Sequence, residues 1–149
     1  MIGKTHLALG LAIGMFFIPH VTHKILFLPI ILIASILPDI DSAHSKLGHH
    51  WYFRPLQWIS KHRGMIHSFT FCVLIAAVLS LFTPSLALPF FLGYFGHLFA
   101  DSFTVEGIRA FWPFGEEVNG KLRTGGAVEN GIFIGLIFVI LALFLSWFL

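Results

Sequence analysis

The chain has 149 residues and a net charge of +2 from 9 basic and 7 acidic side chains. It is 57% hydrophobic and only 11% charged, with a mean hydropathy of +0.89. A soluble domain carries about 25% charged residues, so this composition excludes an ordinary soluble globule and points to a membrane protein. The weak net charge gives no argument for a nucleic-acid partner.

Five apolar segments follow in chain order, at roughly 5–18, 25–38, 66–82, 86–103 and 131–149. They predict an all-α, polytopic membrane bundle of about five transmembrane or partly re-entrant helices, forming a single domain over 1–149. The run after Lys4 has the length of a signal-peptide core, but no clear cleavage site follows, so it is read as retained. The first two segments reach only about 21 Å at about 1.5 Å per residue. The last three approach the roughly 17–25 residues that a bilayer needs. "PHVTHK" and "TPS" turn the two hairpins. Gly10 and Gly14, and Gly131 and Gly135, have the spacing of close helix packing. Between segments two and three, Trp51, Tyr52, Phe53 and Trp58 beside Arg54 and Lys61 fit a headgroup layer.

If all five segments cross, residues 39–65 and 104–130 lie on the side of the N-terminus. Lys4, Lys46, Arg54, Lys61, Arg63, Arg109, Lys121 and Arg123 fall there, and only Lys24 falls opposite. The lysine and arginine bias makes that side the cytoplasm. The unusual polar residues fall on the same side. His6 starts segment one, Asp39 and Asp41 in "LPDID" end segment two, and His62, Arg63 and His67 in "HRGMIHS" start segment three. His97 and Asp101 end segment four, and Glu129 precedes segment five. Ionisable groups at membrane depth are costly, so their convergence suggests a functional site.

Imidazole nitrogen with carboxylate oxygen suits Zn²⁺, Mn²⁺ or Fe²⁺. The lone cysteine, Cys72, leaves thiolate out of such a site. His97 and Asp101 are four apart, about 40° around a helix, and can share one ion or simply pair with each other. Asp39 and Asp41 cannot share a helical face, so they converge only if the helix ends near Pro38 and the chain extends. Glu129 beside Asn130 fits a catalytic carboxylate or an ordinary helix start.

"LPDID", "HRGMIHS" and "GHLFADSFTVEGIRAFWPF" together resemble the YdjM family of membrane-bound metal-dependent hydrolases, known in some bacteria as LexA-regulated inner-membrane proteins. The likeness runs from "THLALG" to "FWPF". It implies a helical hydrolase of the type seen in zinc-dependent phospholipase C, in the inner membrane. It maps the ligands onto Asp39, His62, His67, His97 and Asp101. Ile66 departs from the family, which often has Thr there.

These readings combine into a hydrolase with one or two divalent ions, zinc first and Mn or Fe as alternatives, cleaving a lipid phosphoester at the cytoplasmic face. His6 joins the implied ligands. Glu129 or Asp41 is the general base. Arg63 clamps a phosphate through its planar fork, and Lys121 and Arg123 steer an anionic headgroup. Residues 104–114 form a lid, an acyl-chain wall or an interfacial anchor. One alternative is a ceramidase-like amide or ester hydrolase using Ser68 or Ser102. Another is a metal-binding membrane protein without enzymatic activity. The partners are the membrane and a lipid substrate, with no nucleic acid and no oligomeric state assigned.

Overall fold

A computed structural model describes residues 1–41, 51 and 64–148. Among these it contains five α-helices and no β-strand. They are α1 (Gly3–Phe17), α2 (Lys24–Ala34), α3 (Phe69–Phe82), α4 (Pro84–Ser102) and α5 (Ala127–Leu145). Short 3₁₀ turns follow α1 at Ile18–His20 and α2 at Leu37–Asp41. The expected all-α class therefore holds. The side chain of Asp41, and all of His62, Arg63 and the aromatic segment 52–58, lie outside the described residues.

The helix boundaries have local causes. Ser68 is extended and its hydroxyl accepts the amide of Phe71, so α3 begins there and not at Ile66. Thr83 ends α3, and Pro84 starts α4 at a position where its missing N–H costs nothing. α2 ends at Ala34, and the chain then winds into the 3₁₀ turn that carries Asp39, so the extended stretch that convergence of Asp39 and Asp41 would require does not form. Glu129 lies inside the first turn of α5, not ahead of it.

α4 is central and packs against α1, α2 and α3, while α5 packs on α1. Glycines set how closely α2 is held. A Cβ on Gly10 would stand 2.7 Å from Ser35 Cβ, one on Gly14 would stand 2.7 Å from Leu28 Cδ1, and one on Gly93 would stand 2.3 Å from the Ile31 carbonyl oxygen. Gly131 and Gly135 have nothing within 4 Å, so the close packing expected at that pair is absent among the described residues. The core gathers Ala34, Ile66, Cys72, Tyr94, Leu98 and Ile108.

Residues 103–126 fold back over the end of the bundle where α4 stops and α5 starts. Thr104 bridges Leu122 and Ile108 bridges Val118. Gly107, at φ +62°, allows this, because a Cβ there would meet the Val118 carbonyl at 2.4 Å. Phe111 and Phe114 stay exposed on this segment.

Of the described helices, only α5 is both long and apolar enough to cross a membrane. Its 19 residues span about 28 Å. α2 and α3 are apolar but shorter, with 11 and 14 residues. α4 has 19 residues but carries Gly93, Gly96, His97 and Asp101. Large apolar side chains are exposed along the helices, among them Phe16, Ile33, Leu74, Phe99 and Phe138, as expected where lipid rather than water is the neighbour.

Candidate metal centre

Four elements meet at the end of α4. α1 contributes His6, the turn after α2 contributes Asp39, the residue before the Ser68 cap is His67, and α4 contributes His97 and Asp101. His6, His67, His97 and Asp101 are each 2% exposed or less. Asp101 stands between the imidazoles. His6 Nε2 lies 3.3 Å from its Oδ1, while His97 Nε2 and His67 Nε2 lie 3.5 Å and 3.8 Å from its Oδ2. Asp39 Oδ1 is 3.9 Å from His97 Nε2. The α-amino group of Met1 also rests on Asp101 Oδ1.

The protonation pattern can be partly derived. His97 Nδ1 is 2.8 Å from the backbone oxygen of Ser35. A carbonyl only accepts, so Nδ1 carries the hydrogen, and in the neutral ring Nε2 holds the lone pair. Nε2 has no hydrogen-bond partner among the described residues, and neither nitrogen of His6 has one. Buried polar atoms are normally satisfied. His6 Nε2 and His97 Nε2 both face the Asp101 carboxylate, an arrangement that suits a cation between them.

Two triads satisfy the spacing of a metal site, His6–Asp39–His97 and His67–His97–Asp101, each with its ligand atoms within 4.8 Å of one another. The donor set of imidazole and carboxylate fits Zn²⁺, Mn²⁺ or Fe²⁺. The structure thus brings together His6, Asp39, His67, His97 and Asp101 of the residues singled out from the sequence. His62, Arg63 and the Asp41 side chain lie outside the described residues. Lys121 and Arg123 are exposed on the covering segment.

Glu129 is buried, and its carboxylate is engaged on both oxygens. Oε1 accepts the amide of Ile2 at 2.6 Å and the hydroxyl of Thr5 at 2.9 Å. Oε2 accepts the amide of Gly125 at 2.6 Å. It joins the start of α5 to the start of α1, taking one amide and one hydroxyl from the α1 side and one amide from Gly125.

Several contributors escaped the sequence reading. Ser35 acts through its carbonyl, which no side-chain pattern reveals. Tyr94 donates its hydroxyl to the Ile66 carbonyl at 2.7 Å, next to His67. Its position one turn before His97 was visible, but its partner was not. Thr5 adjoins His6 in "THLALG" and carried no separate signal.

Comparison with known proteins gives a membrane family and no chemistry. The chain is 27% identical over 147 residues to "Uncharacterized protein YvsG" of Bacillus subtilis (strain 168), covering 91% of this chain and 89% of that protein. No solved structure matches. The family described as "YdjM inner membrane protein" matches over residues 1–149, and the chain belongs to it.

Proposed function

We propose that this protein is a polytopic, membrane-embedded, metal-dependent hydrolase whose cluster opens on the cytoplasmic face and acts on a lipid phosphoester. The observation that supports this reading is the cluster of His6, His67, His97, Asp39 and Asp101, in which the His97 Nε2 atom, buried among carboxylates, has no hydrogen-bond partner among the described residues. A purely structural polar cluster would gain about 0.5–1.5 kcal/mol from each hydrogen bond it formed internally, and His6 Nδ1 and His97 Nε2 form none among the described residues. A divalent ion bound there would supply a polarising charge and an activated water.

The chain's own residues have distinct parts in this reading. Ser35 sets the tautomer of His97. Asp39, His6, His67, His97 and Asp101 hold the ion, joined by His62 from the sequence motif. Glu129 ties α1 to α5, so the base role falls to Asp41. Arg63 clamps a phosphate, and exposed Lys121 and Arg123 attract an anionic headgroup before it reaches the site. The aromatic segment around Phe111 and Phe114 seats in the headgroup layer. The serine-dependent alternative is disfavoured because both hydroxyls are engaged. Ser68 Oγ donates to the Met65 carbonyl at 2.6 Å, and Ser102 Oγ donates to the Phe99 carbonyl at 2.7 Å.

The test is metal content of the detergent-purified chain beside His97→Ala and Asp101→Ala, followed by hydrolysis of phosphate-containing lipids against ceramides. Bound transition metal lost in both variants, with turnover confined to phosphoesters, supports the reading. Absence of metal after reconstitution with Zn²⁺ and Mn²⁺ overturns it.

A further inference from the structure

We propose that the end of the bundle remote from the metal centre holds a second binding site, for the phosphate of a phospholipid headgroup in the opposite leaflet. This rests on the membrane-spanning reading above and is independent of any hydrolysis.

The site is a cavity of about 260 Å³ between the turn joining α1 to α2 and the start of α4. His20, Thr22 and His23 line it from the turn, and Ser85 lines it from α4. All four are exposed and form its mouth. Phe27, which is 3% exposed, gives it an apolar inner wall, and the half-exposed Leu88 carries that wall outward.

The depth of the cavity in the bilayer follows from the helices. Glu129 ties the start of α5 to the start of α1, so both helices leave one membrane face together. α1 and the 3₁₀ turn after it end at His20 and cover about 28 Å. This equals the span of α5 and approaches the roughly 30 Å of a hydrocarbon core. His20, Thr22 and His23 therefore arrive where the opposite headgroups begin, and the polar neighbour at that level is lipid phosphate.

The charges select an anion. All seven acidic residues fall within 39–41 and 101–129, and none of the described residues lining the cavity is acidic. Lys24 follows His23 and adds a positive charge at the same end. Two imidazoles and two hydroxyls can each donate a hydrogen bond to a phosphate oxygen. A metal ion is poorly served, because a structural site takes about four ligands and the cavity offers two imidazoles. The volume lies below the roughly 300–1,000 Å³ of sites that enclose a drug-sized ligand, so it takes a headgroup with its first methylenes and leaves the chains in the bilayer.

The experiment uses the full-length chain purified in detergent. Native mass spectrometry compares binding of phosphatidylglycerol with that of a glycosyl diacylglycerol of the same chains, which has no phosphate. About one phospholipid per chain is expected, with a preference of at least about 10-fold over the glycolipid. His20→Ala with His23→Ala should weaken phosphatidylglycerol binding about 10-fold, while the metal content of the cluster stays at the wild-type value. Ser85→Trp, which fills the cavity from α4, should do the same and keeps the test open if the double variant does not fold. Equal binding of the two lipids, or unchanged binding in these variants, overturns the site. So does inorganic phosphate binding as tightly as the lipid, since the apolar wall would then contribute nothing. An impermeant thiol reagent should label Lys24→Cys and Glu116→Cys from opposite faces of the membrane. Labelling from one face overturns the membrane-spanning reading and the leaflet assignment with it. Absence of metal from the wild type overturns the hydrolase reading and leaves this site standing.

Discussion

The ring of His97 reaches the backbone of Ser35 because Gly93, one turn earlier on α4, has no side chain. The Nδ1–O contact is 2.8 Å, and a Cβ on Gly93 would sit 2.3 Å from the Ile31 carbonyl and 2.9 Å from Ala34 Cβ. The approach of α2 to α4 and the orientation of a candidate ligand are therefore one feature.

Gly93→Ala should push these helices apart. Overpacking of this kind costs about 1–3 kcal/mol, and loss of an orienting contact costs about 10–100-fold in metal affinity. Thermal unfolding in detergent and metal titration measure the two effects. Gly131→Ala is the control. It meets nothing within 4 Å, so it should be neutral or stabilising by up to about 1 kcal/mol. Equal losses in both variants would disprove the link between packing and site.

Glu129→Gln should destabilise the chain by about 1–3 kcal/mol. An amide offers one accepting oxygen where Ile2, Thr5 and Gly125 present three donors. Thr5→Val should cost less, since one of the three contacts is lost. If instead Glu129→Gln leaves the melting temperature unchanged and removes only turnover, Glu129 is the general base and not the tie between α1 and α5.

Asp101→Asn keeps the side-chain volume but removes the charge shared by Met1 and the three imidazoles. Metal binding and lipid hydrolysis should fall to background while the helical circular dichroism signal persists. Full hydrolysis in this variant would end the proposed mechanism.

Lys121→Ala with Arg123→Ala should change stability by no more than about 0.5 kcal/mol, because both side chains are exposed. Binding to vesicles containing anionic lipid should weaken, and the effect should shrink as salt rises, as screening requires. Unchanged vesicle binding at low salt would remove these residues from the headgroup role.

Much of the helical pattern was legible because it is local. Apolar runs, Pro84 after Thr83 and the polar ends of segments mark helices through neighbouring residues alone. The four-residue spacing of His97 and Asp101 is equally local, since both belong to one helix. The start of α3 was misplaced because "GMIHS" is apolar enough to continue a helix, whereas the Ser68 cap stops it. The segment after Pro38 is a 3₁₀ turn, and periodicity does not separate that from an extended chain over so few residues.

The sequence by itself determined the kinds of group available: imidazoles and carboxylates without thiolates, set into apolar helices of a membrane-protein composition. Only the tertiary structure decided which of them meet. His6 and His97 are 91 positions apart, and their stacking depends on how α1 lies against α4. Gly10 and Gly131 begin identical small-residue spacings, yet a Cβ on the first would press on Ser35, and a Cβ on the second would meet none of the described residues within 4 Å. Glu129 read as a base or as a helix start until its three donors came from Ile2, Thr5 and Gly125. Spacing fixes the direction of a side chain on its own helix. What that side chain touches is set by helix packing, which sums many weak contacts between residues distant in the chain.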